Sequence, residues 1–205
     1  MPRRSAAQVD TDRALTLRAA VDLASVVGLE GLTIGRLAEQ LGMSKSGLAG
    51  RFDSKEQLQL AALDLAVDMF RAAVYEPAAV EPAGRARLLA ICDRWIDYVG
   101  EPAFPGGCFL TTASVEFDAR RGAVHDAVKL ALSRWLRVLE AEAATAVAAG
   151  ELPSDTDPAE VAFVLNALAV GTNCDYQLHH KARALDHGRR AMAAVLRQPA
   201  TSIRG

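Results

Sequence analysis

Between Thr33 and Leu48 the chain reads Thr-Ile-Gly-Arg-Leu-Ala-Glu-Gln-Leu-Gly-Met-Ser-Lys-Ser-Gly-Leu. Few stretches constrain a fold as tightly. Thr33 and Ser44 are residues that open helices, because a side-chain oxygen can accept one of the unpaired N–H groups of the first turn. Gly42 between them is a residue that closes one. The spacing predicts a short helix from Thr33 to Leu41, with Ile34, Leu37, Ala38 and Leu41 on one side. A second short helix follows from Lys45 to Arg51 or Phe52. Two such helices across a glycine-containing turn make a helix-turn-helix. Ile34, Leu37, Ala38, Leu41, Met43 and Leu48 supply its small core, and Ala38 lets the helices approach closely. Ser44, Lys45, Ser46 and Gly47 stand at the amino end of the second helix, where free N–H groups and a partial positive charge suit a phosphate. Short polar side chains and one lysine also fit a major groove. The same pattern serves as a plain packing unit in helical proteins that touch no nucleic acid.

The rest of the chain carries the same punctuation. A first helix opens near Asp10 or Thr11 and runs to Val27, with Leu17, Ala20, Val21 and Ala24 as its apolar stripe and Gly28 as its stop. Residues Met1–Val9 read as an arm. Ser54 caps a long fourth helix to about Val74, and Glu56 in its first turn favours the positive end. Pro77 and Pro82 bound a linker. Further helices are expected from about Ala83 to Val99, Cys108 to Phe117, Ala119 to Ala149, Ala159 to His180 and Ala182 to Arg197. Asp157 caps the eighth helix, with Pro158 in its first turn. That helix is apolar nearly all round, which predicts burial on several sides. No strand pattern and no internal repeat is readable. The expected fold is therefore all-α with about nine helices. Residues 1–54 form an arm and helix-turn-helix domain, 55–80 a connecting helix and linker, 81–197 a second helical domain and 198–205 a loose tail.

Composition narrows function. Of 205 residues, 51% are hydrophobic and 5% aromatic, enough to bury a core and, being rich in Ala and Leu, suited to helices. The net charge is −2, and residues 1–60 hold eight basic against seven acidic side chains, so a case for DNA rests on where charges sit. Cys92, Cys108 and Cys174 are far apart. Their odd number and the lack of a leader pattern point to a reducing cytoplasm. No apolar run is long enough for a membrane span. No Ser/His/Asp set, carboxylate pair or phosphate-binding glycine loop is present, so no enzyme and no cofactor is expected. Asp175 and His179 share a helix face, but they lack a clear third ligand for a metal.

The segment from Leu15 to Leu58 resembles the N-terminal domain of the TetR (tetracycline-repressor-like) family. The residues that carry the likeness are Ala19-Ala20, Gly31-Leu32-Thr33-Ile34, Leu37-Ala38, Leu41-Gly42-Met43-Ser44, Ser46-Gly47-Leu48 and Phe52-Asp53-Ser54-Lys55-Glu56-Gln57-Leu58. They cover about a quarter of the chain. The resemblance implies a cytoplasmic transcriptional regulator, a homodimer that binds a palindromic operator in double-stranded DNA and is released by a small apolar or amphipathic effector. A helical protein-interaction module on the same fold is the alternative. By resemblance, Thr33 meets a phosphate, Ser44, Lys45, Ser46 and Gly47 meet phosphates and base edges, and Lys55 binds a phosphate. The family commonly carries an aromatic and then a His before Phe52, where this chain has Ala49, Gly50 and Arg51. Arg51 is the candidate that replaces their backbone contact by charge.

The resemblance also implies an effector cavity in the C-terminal half. Candidates that join apolar bulk to a few polar handles are Trp95, Phe104, Cys108, Phe109, Thr112, Phe117, Trp135, Phe163, Asn166, Asn173 and Tyr176. Ordinary core packing is the competing reading of each. The last two helices are the implied dimer interface, with Val161, Val164, Leu165, Leu168, Met192, Val195 and Leu196 as candidates.

Overall fold

A computed structural model describes residues 6–101 and 104–197. The start of the expected arm and the expected tail, 198–205, lie outside these. Among the described residues the chain is all helical, with nine helices and no strand. They are α1 (Ala6–Val27), α2 (Ile34–Gln40), α3 (Lys45–Ala49), α4 (Lys55–Phe70, continued by Arg71–Tyr75 and Glu76–Ala78), α5 (Arg85–Gly100), α6 (Phe109–Phe117), α7 (Ala123–Ala148), α8 (Pro158–His179) and α9 (Ala182–Val195).

The caps fall where the sequence places them. Thr33 Oγ1 accepts the Arg36 N–H at 3.2 Å, Ser44 Oγ the Gly47 N–H at 3.1 Å, and Ser54 Oγ the Gln57 N–H at 3.1 Å. At Gly42 the backbone turns left-handed, with φ of 62°. This lets Met43 N–H reach the Ala38 carbonyl at 2.9 Å and Gly42 N–H the Glu39 carbonyl at 3.1 Å, closing α2 with a paired terminus. A side chain at that φ would be strained.

Two expectations change. α1 begins at Ala6, not near Asp10, because Ala6-Ala7-Gln8 are themselves good helix formers. Pro77 does not end the fourth helix. Proline has no N–H and its ring crowds the carbonyl four residues back. The chain answers with a π turn over Arg71–Tyr75, in which Glu76 N–H bonds the Arg71 carbonyl, and helix resumes through Ala78. Leu58, Ala62, Ala66, Phe70, Val74 and Ala78 recur at steps of four and are all buried.

The chain forms two compact units. The first joins residues 6–68 to Phe104–Lys129, and the second joins 69–101 to 130–197. In the first unit α6 packs on α1. In the second unit α9 packs on α8 and on α5. Phe70 stands edge-on to Tyr98 and Trp135, with ring centroids 5.5 and 4.8 Å away. Arg87 and Glu142 form a largely buried ion pair at 2.9 Å, and Glu142 also accepts the Gly84 N–H at 2.8 Å. A buried carboxylate without such partners would be costly, so these contacts fix the start of α5.

Candidate nucleic-acid interface and effector cavity

Leu48 is fully buried and anchors α3 from below. Ser44, Lys45, Ser46 and Gly47 are exposed at its amino end. Ser44 and Ser46 hydroxyls lie 3.3 Å apart. The helix thus presents a short, polar, unobstructed end carrying one lysine. Thr33 is half-buried, its hydroxyl engaged as the cap of α2.

Arg51 and Lys55 are placed differently from the other candidates. The Arg51 guanidinium donates to the Asp12 carbonyl at 3.1 Å and to Thr16 Oγ1 at 2.6 Å, and it lies 3.8 Å from the Asp12 carboxylate. It braces the end of α3 against α1. Lys55 Nζ lies 2.6 Å from Glu30 Oε1. The hydrogen bond from Lys55 holds the Glu30 carboxyl below its usual value, helped by the charge of Lys55, a hydrogen bond from Gln59 and the charge of Arg120, against partial burial. Arg120 approaches Glu30 at 3.7 Å. Gln59, buried on α4, donates to the Leu29 carbonyl at 2.7 Å.

Sequence reasoning missed this network around the turn between α1 and α2. Glu30, Gln59, Glu116 and Arg120 are its members. One signal was available: Glu116 is the only charged residue in Phe109–Phe117, and a lone carboxylate in an apolar helix calls for a partner.

The cavity candidates separate into two groups. Trp95, Trp135 and Asn166 line a cavity of about 20 Å3 in the second unit, together with Ile91, Cys92 and Met192. That volume holds roughly one water. Burial, and secondarily the neighbouring Asp93, pushes the Cys92 thiol up to about 12. Phe104, Cys108, Phe109 and Thr112 belong instead to the first unit. Phe104 is fully buried, stacks edge-on with Phe109 at 6.1 Å and lies under the Arg18 guanidinium at 5.6 Å. Thr112 Oγ1 donates to the Cys108 carbonyl at 3.2 Å. Phe117, also buried, lies under Arg120 at 5.2 Å. Tyr176 donates its hydroxyl to the Gly100 carbonyl at 3.4 Å, and Asn173 is buried. Phe163 is 70% exposed.

The dimer candidates also divide. Val161, Leu165, Met192 and Leu196 are buried in the chain's own core, which leaves them no surface for a partner. Val164, Leu168 and Val195 are half-buried. Phe163, Ala167, Gly171, Cys174 and Leu178 are the exposed residues on the apolar side of α8. The all-round apolar pattern hid which face was which.

The family profile described as the tetracyclin repressor-like C-terminal domain matches residues 84–192, and that of the bacterial regulatory proteins of the tetR family matches 17–62. The chain belongs to the TetR family. This TetR-family member is a transcriptional regulator with a helix-turn-helix DNA-binding domain, not an enzyme. Among solved structures, a TetR transcriptional regulator from Chloroflexus aurantiacus is 25% identical, with a TM-score of 0.84 over 93% of this chain and 96% of that one. A TetR-family regulator from Cytophaga hutchinsonii shares 20% identity and a TM-score of 0.79 over 98% and 100%. AibR, solved in complex with isovaleryl coenzyme A and operator DNA, shares 20% identity and a TM-score of 0.73 over 91% and 98%. No curated protein is significantly similar in sequence. No helix among the described residues is long and apolar enough to cross a membrane.

Proposed function

We propose that this TetR-family regulator is a cytoplasmic repressor that binds a palindromic operator as a homodimer and is released by a small apolar or amphipathic effector. The observation that carries the reading is the exposed Ser44–Gly47 end of α3, set over a buried Leu48 and braced by Arg51. Lys45 is the cation that meets the duplex there, while Ser44, Ser46 and Gly47 allow close approach to phosphates and base edges. Thr33 and Lys55 flank it at the starts of α2 and α4. Two copies joined through the outer face of α8 would carry two such ends, and a palindrome demands half-sites roughly 34–36 Å apart. AibR, with the same fold, was solved with both an acyl coenzyme A and operator DNA. That supports a second site, and the cavity between Trp95, Trp135 and Asn166 is the place for it, enlarged on binding.

The test is a gel-shift titration with duplex DNA from upstream of the chain's own coding region. Salt-sensitive, sequence-selective binding is expected, with a dimer bound per site. Equal affinity for unrelated duplexes would overturn it.

A further inference from the structure

We propose that Glu116 is a positioning residue for the DNA-reading head: its carboxylate ties the turn between α1 and α2 to α6, so that operator affinity depends on α6 as well as on the helix-turn-helix. The inference rests on the DNA-binding reading above and adds a residue 86 positions away from Glu30, one of the two residues it holds.

Both oxygens of Glu116 are engaged. Oε2 accepts the Leu29 N–H at 2.7 Å and Oε1 the Glu30 N–H at 3.1 Å. These donors lie just beyond the end of α1, where no helical partner remains for them. A carboxylate suits the pair because each oxygen accepts and the negative charge strengthens both bonds. The fit is close: a Cβ added to Gly28, whose φ is 79°, would fall 2.6 Å from Glu116 Oε1. The segment leading into α6 is seated on α1 as well. Gly106 N–H donates to Ser25 Oγ at 3.1 Å, and a side chain at Gly106 would overlap the Ser25 carbonyl. The segment 104–117 is thus pinned to the head at both ends.

The turn it holds is joined in turn to the rest of the head. Gln59 of α4 donates to the Leu29 carbonyl, and the Glu30 side chain pairs with Lys55, the first residue of α4. Arg51 fixes the end of α3 to α1. The exposed end of α3 therefore stands on a frame whose α1–α2 corner is anchored by one side chain of α6.

Glu116→Gln keeps the size but turns an NH2 group towards one of the two N–H donors. Amide hydrogen exchange is measured on the free full-length protein, and operator affinity by fluorescence anisotropy with the upstream duplex. Exchange at Leu29 and Glu30 is expected to rise about tenfold or more, while amides within α1 and α4 and the melting midpoint stay at their wild-type values. Operator affinity is expected to fall about tenfold, which is about 1.4 kcal/mol. Unchanged exchange at those two amides overturns the proposal. So does unchanged affinity with faster exchange, or a general loss of protection with a lowered midpoint, which would make Glu116 a stabilising residue only. Failure of the wild type to bind any duplex overturns the DNA reading itself. It is told apart because the exchange measurement needs no DNA.

Discussion

The Lys55 ammonium stands 2.6 Å from the Glu30 carboxylate, so the lysine at the head of α4 is already paired within the protein. Its neighbour in the candidate set, Lys45, is exposed at the start of α3. The two lysines should therefore differ in what they contribute to DNA binding. Lys45→Ala is expected to weaken binding to specific and unrelated duplexes alike and to lower the salt slope by about one. Lys55→Ala should lower the slope less, since part of its charge is neutralised by Glu30. Titrations at several salt concentrations decide it; equal slopes for both variants would show that DNA draws Lys55 away from Glu30.

The same pair predicts a pH dependence. The carboxyl of Glu30 is held below its ordinary value of 4.5 by Lys55. A carboxyl lowered in the folded state adds stability that is complete above its unfolded value and is lost as pH falls through the folded one. Both side chains are more than a third exposed, so the contribution is about 1 kcal/mol or less. Urea unfolding of wild type and Glu30→Gln should differ at pH 7 and converge towards pH 3. A constant difference across that range would contradict the assignment.

Burial separates the three thiols. Cys92 and Cys108 are buried, and the Cys92 thiol is pushed up to about 12, whereas Cys174 is exposed. The thiolate is the reactive form. A thiol reagent at neutral pH should label Cys174 rapidly in the native monomer and the other two only on unfolding. A dimer joined through the outer face of α8 would slow Cys174 as well, so labelling against protein concentration also reports assembly.

Two substitutions on α8 should have opposite signatures. Phe163 is 70% exposed and Leu165 is 2% exposed. Phe163→Glu is expected to yield a folded monomer by light scattering, with a melting curve independent of protein concentration. Leu165→Ala should cost about 2–5 kcal/mol in chemical unfolding, because it empties a packed site. If Phe163→Glu remained a dimer, the proposed face would be wrong.

How much of this could be read from the sequence depends on the range of the interactions involved. The caps Thr33, Ser44, Ser54 and Asp157, and the stop at Gly42, act over two to five residues, so their positions in sequence suffice. Most helix ends were legible for that reason. The contacts of Arg51, Lys55 and Phe104 were not legible because their partners, Thr16, Glu30 and Arg18, lie far away along the chain. A charge near a DNA-reading helix can face solvent or its own protein, and its position in sequence does not say which. The apolar girth of α8 likewise concealed the difference between Leu165, facing inward, and Phe163, facing out.

The π turn at Arg71–Tyr75 has a consequence for the whole of α4. Four residues of α-helix advance by about 400°, so a row taken every fourth position creeps round the cylinder by about 40° each step. A wider turn of i→i+5 bonding runs the other way and sets the row back in phase. This is why Val74 and Ala78 still point inward at the far end of a helix that begins at Lys55. Were the same residues wound as ordinary α-helix, the last stretch would swing round by roughly a quarter turn, carrying its apolar side out into water.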